Sequence, residues 1–216
     1  MTPNKEDYLK CIHEIGEKQI KITNKRIAEM MEVSAPAVSE MIKKMITEDL
    51  ILKDKKLGYY LTKNGLLLAS ELYRKHRIIE VFLVNRLHYN ADEIHQEAEV
   101  LEHSVSTTFI DRLDQNLDFP QFCPHGGTIP KKNEFLIEIY QLTLSQVNEL
   151  GDYIIRRVHD EFKLLKYMEE HSLTIGSSIE LLDIDEYAKT YTVRNQQQTL
   201  AIPENIAQQI YLQKSK

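Results

Sequence analysis

The sequence is poor in the features that mark a secreted or membrane-embedded protein. Its 216 residues include two cysteines, Cys11 and Cys123. They lie far apart and lack the spacing of a disulfide framework, which argues against a disulfide-stapled scaffold and fits a reducing compartment. No run approaches the roughly 18 apolar residues of a membrane span, and the opening MTPNKEDYLK is polar where a secretory signal needs an apolar stretch. The chain is therefore expected to be cytoplasmic, with no membrane partner. No internal repeat or low-complexity tract is visible. What is present is ordinary for a globular protein: 42% hydrophobic and 28% charged residues, in a chain long enough for two or three small domains.

A net charge of −6 argues against a nucleic-acid partner only until it is divided along the chain. Residues 1–76 carry 14 Lys+Arg against 11 Asp+Glu, a net +3, and residues 77–216 carry 13 against 22, a net −9. A mildly basic front and an acidic body suit a nucleic-acid head on an acidic support.

Apolar spacing in NKEDYLKCIHEIG predicts a first helix over 4–16, ending at Gly16. Thr23 is a good N-cap for a second helix, and a short break at Val33-Ser34 leads into a third from Ala35 to about Asp49. Two helices across so tight a turn form a helix-turn-helix, and ILKDKKLGYYLT reads as a β-hairpin wing. A long helix from Thr62 to Leu87 is more apolar than one small domain needs, which points to a partner chain. Another helix is expected over 91–115, followed by the proline- and glycine-rich DFPQFCPHGGTIPKKN as a linker. Beyond Glu134, FLIEIY, DYIIRRV, SIELLDI, YTVRN and TLAIP read as short strands of a small β-barrel, FKLLKYMEEH as a helix between them and IPENIAQQIYL as a closing helix.

The segment TNKRIAEMMEVSAPAVSEMIKKMITEDLILKD has what groove reading needs. Small residues Ser34, Ala35, Pro36 and Ala37 let the N-terminus of the third helix approach DNA closely, where free N–H groups favour phosphate. Ser39 can donate to a base edge or phosphate, Lys43 and Lys44 lie farther along, and Thr23 completes the contact set. Wing residues Lys53, Lys55 and Lys56 reach flanking backbone, where they position rather than specify. The competing reading is an amphipathic helical hairpin with solvated lysines; the order of helix-turn-helix and basic wing favours DNA.

HQEAEVLEH, residues 95–103, places His95, Glu99, Glu102 and His103 on one helical stripe, and His76 and Glu80 sit four apart on the preceding helix. Asp7 lies in the first helix, and Cys123 and His125 stand on a bend in CPHG. Each alone is most simply a solvated or structural side chain. Together they suggest a metal, because buried carboxylates and imidazoles are costly unless paired or coordinated.

The order of winged helix-turn-helix, long helix with RKHRIIEVFL, helix with HxxxExxEH, CPHGGTIP linker and small β-barrel resembles the diphtheria toxin repressor family of metalloregulators over essentially the whole chain. The resemblance implies a mainly α chain with a small β part. It sets a winged helix-turn-helix DNA-binding domain at 1–72, a helical metal-binding and dimerisation domain with linker at 73–140, and an SH3-like, FeoA-like β-barrel at 141–216. It also implies a homodimer that binds palindromic operator DNA when loaded with divalent metal and represses metal-uptake genes. Iron-type members have methionine and cysteine where this sequence has Asp7 and Glu99. The hard oxygen donors make it similar to the longer, three-domain manganese transport regulators of streptococcal type, and carboxylates suit Mn(II). By that resemblance one site comprises Asp7, His76, Glu99, Glu102 and His103, and another Glu80, Cys123, His125 and Asp160. The last residue is found by resemblance alone. Cys123 leaves room for Zn(II) or Cd(II), with Fe(II) a further substitute, and His95 matches a ligand of iron-type members.

Three rival readings stand beside this one: an iron-type member of the same family, a winged-helix regulator responding to an organic ligand or to thiol oxidation, and a di-metal hydrolase. The last is disfavoured, since no evident catalytic base, nucleophile or substrate pocket accompanies the ligands.

Overall fold

A computed structural model describes residues 3–18, 20–196 and 198–215. The chain divides into two compact units. The first comprises Met1–His76, Glu102–Thr107 and Pro130–Leu136; the second comprises Arg77–Leu101, Thr108–Ile129 and Ile137–Lys216. Among the described residues no helix is long and apolar enough to cross a membrane.

The first unit opens with α1 (Pro3–Glu17), α2 (Asn24–Met30) and α3 (Ala35–Thr47). Helix starts follow local chemistry: the Thr23 hydroxyl accepts from Arg26 N at 3.3 Å and the Ser34 hydroxyl from Ala37 N at 3.4 Å, each satisfying an orphan amide. Tyr8, Leu9, Ile12 and Ile15 of α1 share one buried core with Ile27, Val38, Ile42 and Met45, so the helix-turn-helix is built directly on α1. Strands β1 (Ile51–Asp54) and β2 (Gly58–Leu61) form the expected antiparallel hairpin. Asp54 shapes its turn by accepting from Lys56 N at 2.6 Å and Leu57 N at 2.8 Å. Gly58, at φ +81°, lies where a Cβ would overlap the Ile22 carbonyl oxygen. The wing is thereby pinned to the segment ahead of α2, and only glycine fits.

Helix α4 (Lys63–Leu87) begins in the first unit and continues into the second. The stretch expected as one helix over 91–115 is two: α5 (Ala91–Ser104) and α6 (Thr107–Asn116). The break falls at Val105-Ser106, where a β-branched residue meets hydroxyl side chains that compete with the helical backbone.

The rest of the second unit is a five-stranded antiparallel sheet of order β6-β5-β4-β3-β7. Its elements are β3 (Gly151–Val158), α7 (Phe162–Glu170), β4 (Ser178–Asp185), β5 (Thr190–Arg194), β6 (Thr199–Pro203), α8 (Glu204–Ala207) and β7 (Ile210–Lys214). Its core gathers Leu144, Tyr153, Ile155, Leu164, Met168, Val193, Ile202 and Ile210. Two expectations fail here. FLIEIY is not a strand: Glu138 at its centre turns inward, accepting from Thr128 N at 2.9 Å and pairing with Arg77 at 2.7 Å and Arg157 at 2.8 Å, so a buried charge rather than a ladder anchors the segment. The closing helix shrinks to the single turn of α8, because Ile210, Tyr211 and Leu212 are buried in a strand paired with β3.

Candidate metal centres and DNA-reading face

In the second unit the turn Cys123–Gly127 is tied by Cys123 N to Gly127 O and by Gly126 N to Cys123 O, both at 2.9 Å. It is pressed onto β3: Val158 N donates to His125 O at 3.0 Å, and a Cβ on Gly126, at φ +78°, would overlap the Arg156 carbonyl oxygen. That approach delivers Cys123 and His125 to Glu80 of α4. The three side chains are buried, with one ligand atom of each within 4.8 Å of the others. His125 Nδ1 is 3.2 Å from Glu80 Oε1 and 3.6 Å from Asp160 Oδ1. Glu80, Asp160 and His95 likewise have ligand atoms within 4.8 Å of one another. His95 bridges Asp160 at 2.8 Å and Glu99, one turn on, at 3.1 Å.

The electrostatics of this site favour a cation. Burial pulls the His125 pKa down, yet its bonds to Cys123 and Glu80 and the charges of Glu80 and Asp160 outweigh that and push it up to about 11. Burial, with the Glu80 charge, pushes the Cys123 thiol up. A proton on the imidazole thus balances the buried carboxylates. A soft thiolate beside an imidazole and carboxylates can take Zn(II) or Cd(II) as well as Mn(II), so the donor set fits a divalent ion.

In the first unit His103 is the hub of a second cluster. Its Nδ1 lies 2.6 Å from Glu6 Oε2, and its Nε2 lies 3.0 Å from Asp7 Oδ1 and 3.4 Å from Glu102 Oε1. Glu102, fully buried, is held on its other oxygen by His76 Nδ1 at 2.6 Å and on Oε1 by the buried Lys10 ammonium at 2.9 Å. Burial raises the Glu102 pKa, but His76 and Lys10 together bring it below the ordinary carboxylate value. Carboxylates with imidazole nitrogens form a hard donor set suited to Mn(II).

On the DNA-reading face, Ser34, Ala35, Pro36 and Ala37 are all exposed at the start of α3, as are Lys43 and Lys44 farther along and Lys53, Lys55 and Lys56 on the wing. Three of the expected contacts carry local duties. Thr23 caps α2, and Lys44 pairs with Glu40 at 2.8 Å. The Ser39 hydroxyl donates to Ala35 O at 2.9 Å and accepts from Asn24 Nδ2 at 2.8 Å.

Comparison with known proteins places these features in a family. The iron dependent repressor N-terminal DNA binding domain matches residues 1–59, the iron dependent repressor metal binding and dimerisation domain matches 62–131, and a FeoA domain matches 142–214. The solved structure of the manganese regulator SloR is 58% identical, with the whole of both chains covered and a TM-score of 0.91. The manganese-activated repressor ScaR, solved with bound Cd2+, is 55% identical over 98% of this chain and 99% of that one, with a TM-score of 0.94. The chain belongs to the diphtheria toxin repressor family. The diphtheria toxin repressor of Corynebacterium diphtheriae itself is 32% identical over 129 residues, 60% of this chain. The chain spans 57% of that relative's length in the match.

The expected ligands fall into groups. The structure brings Glu80, Cys123, His125 and Asp160 together in the second unit and Asp7, His76, Glu102 and His103 together in the first; Glu99 is described by its pairing with His95. Sequence reasoning missed Glu6 and Lys10. Their signal was positional, since Glu6, Asp7 and Lys10 share one helical face at spacings of three and four, but nothing local says that this face meets His103 and Glu102.

Proposed function

We propose that the chain is a manganese-dependent transcriptional repressor of metal-uptake genes that binds palindromic operator DNA as a homodimer. The observation that carries the reading is the convergence of Asp7, His76, Glu102 and His103 in the same unit as the exposed tip of α3. Asp7 belongs to α1, whose core supports α3, while Glu102 and His103 end α5. Drawing these carboxylates and imidazoles together fixes α1, and with it the angle at which α3 is presented. Bound Mn(II) would add positive charge among the converged carboxylates and so hold the cluster closed.

Glu99 enters as a further ligand on the sequence pattern, where iron-type relatives carry cysteine. Glu80, Cys123, His125 and Asp160 form the proposed second site, with Zn(II) or Cd(II) as alternative occupants. Self-association draws support from Leu87, Val100 and Phe109, which leave roughly half or more of their surface exposed in the second unit. A dimer presents two recognition helices about one helical turn of DNA apart, roughly 34 Å or a multiple of it, and heads ordered in advance avoid the entropy cost of ordering on DNA.

The experiment is an operator-binding titration with Mn(II), Fe(II), Zn(II) and a chelator, with footprinting to locate the site. Mn(II) should restore tight binding and chelation should abolish it. Metal-independent binding would sink the metalloregulator reading, and preferential activation by Fe(II) over Mn(II) would favour the iron-type alternative.

A further inference from the structure

Glu138 joins the three chain segments that carry Glu80, Cys123, His125 and Asp160. Its Oε1 accepts from Arg77 at 2.7 Å and from Arg157 at 2.8 Å, and its Oε2 accepts from Thr128 N at 2.9 Å. Each of these donors stands three residues from a ligand. Arg77 precedes Glu80 on α4, Thr128 follows His125 beyond the turn, and Arg157 on β3 precedes Asp160.

Further contacts fix the same three donors. Arg77 also donates to Thr128 O, so Thr128 has its N–H on Glu138 and its carbonyl on Arg77. A Cβ on Gly127 would lie 2.7 Å from Arg77 Cζ, so the turn rests directly on the guanidinium. Arg157 is held from its other side by the Tyr211 ring of β7. Ile139 N donates to Thr128 Oγ1 at 3.1 Å, which keeps the segment bearing Glu138 against the turn.

A carboxylate has acceptor sites for several donors in one plane, and bonds to charged donors are short and directional. Glu138 is buried, where water screens such bonds little. Gathering ligands from three separate segments costs conformational entropy, and a site gathered in advance avoids that cost when the ion arrives.

We propose that Glu138 is a positioning residue of the second metal site: through Arg77, Thr128 and Arg157 it holds α4, the Cys123–Gly127 turn and the end of β3 at the spacing a divalent ion requires. It acts without offering the ion an atom. The inference rests on the reading that Glu80, Cys123, His125 and Asp160 bind such an ion, and its test separates the two.

The test is a Cd(II) titration of the full chain followed by the ultraviolet charge-transfer absorption of a cadmium thiolate, with Cys123→Ser as background. It is run at a temperature where circular dichroism shows each variant folded, so that a residue contributing stability alone would leave the affinity unchanged. Glu138→Gln turns an amide NH2 towards a donor and cannot serve all three partners. It should weaken Cd(II) binding by roughly tenfold to a hundredfold; an unchanged affinity overturns the proposal. In the metal-free protein, Cys123 should react with a maleimide several times faster in this variant than in wild type, with Cys11 of the other unit as internal standard. Acceleration of both thiols alike, or of neither, overturns the proposal. Should Glu138→Gln not fold, Gly127→Ala serves, since its Cβ displaces the Arg77 guanidinium and leaves every ligand in place. Cd(II) affinity should again fall, and an equal affinity overturns the proposal. If wild type and Cys123→Ser titrate identically, Cys123 holds no ion and the underlying reading fails, an outcome distinct from a site that loads normally and ignores Glu138.

Discussion

Gly126 stands so close to Arg156 that any side chain at 126 would run into the Arg156 carbonyl oxygen. The contact is what brings His125 beside Glu80, so the backbone at 126 is part of the second site although it offers no ligand atom. Gly126→Ala has both to adopt φ +78° with a Cβ, at a cost of about 1–2 kcal/mol, and to push the turn off β3. We expect a lowered Tm and a loss of at least roughly tenfold in Zn(II) or Cd(II) affinity at this site. Mn(II) binding by the His103 cluster should be unchanged, and calorimetry with each metal separates the two.

Arg77 and Arg157 converge on Glu138, which is held below the usual carboxylate range because, against the cost of burial, both guanidinium charges favour its ionised form. Arg77 also donates to Thr128 O, and Arg157 lies over the Tyr211 ring with 3.7 Å to the centroid. Removing the shared acceptor takes the carboxylate from the buried Arg157 and the partly buried Arg77, so Glu138→Ala should cost roughly 3 kcal/mol in denaturant unfolding. A destabilisation under about 1 kcal/mol would show that the triad does not hold the Ile137–Thr143 segment.

Metal uptake at the Glu80, Cys123 and His125 site should depend steeply on pH. His125, with its pKa raised to about 11, and Cys123, also raised, are both protonated at neutrality and must lose protons to act as ligands. Apparent affinity therefore rises with pH, and titration in buffers of different ionisation enthalpy should reveal released protons. Without metal the sign reverses. The His125 contribution to stability is complete below its ordinary value of 6.5 and fades as pH climbs towards about 11.

Metal choice at the other site is expected to follow donor hardness. Asp7→Met combined with Glu99→Cys should weaken Mn(II)-dependent operator binding and improve the response to Fe(II) or Zn(II). Unchanged Mn(II) dependence in the double variant would refute the account of selectivity by hard donors.

These site residues were unequally legible. His95, Glu99, Glu102 and His103 announce themselves because helical spacing alone puts them on one stripe, and His76 and Glu80 do so on the preceding helix. Glu6 and Lys10 were not legible, since an exposed-looking acid and base near a helix start acquire meaning only through a partner far away in the chain. Asp160 had no spacing signal and came from resemblance. The same distinction runs through the fold. Thr23, Ser34 and Gly58 mark local turns and caps correctly, whereas IPENIAQQIYL carries a genuine helix start at Pro203-Glu204 and is then overridden by strand pairing of Ile210–Lys214 with β3. FLIEIY fails for a related reason, as its alternation describes an extended segment held by Glu138 rather than by a neighbouring strand.

The wing lysines offer a test of how the DNA is held. Lys53, Lys55 and Lys56 are exposed on the hairpin. Replacing any of them with alanine should remove a hold on phosphate, weaken binding alike on every operator variant and reduce the salt slope by about one. A change confined to one base position would mean that the wing reads sequence.

Ser39 has already committed its hydroxyl hydrogen to the Ala35 carbonyl, while the Asn24 amide donates to its oxygen. The exposed tip that remains, Ala35, Pro36 and Ala37, is expected to present methyl and ring carbon to a major groove. Such a surface discriminates by touching the thymine 5-methyl group more than through exchanged protons. Its vocabulary is one of bulk and absence, and an operator in which deoxyuridine replaces thymidine would be, to this helix, a misspelled word.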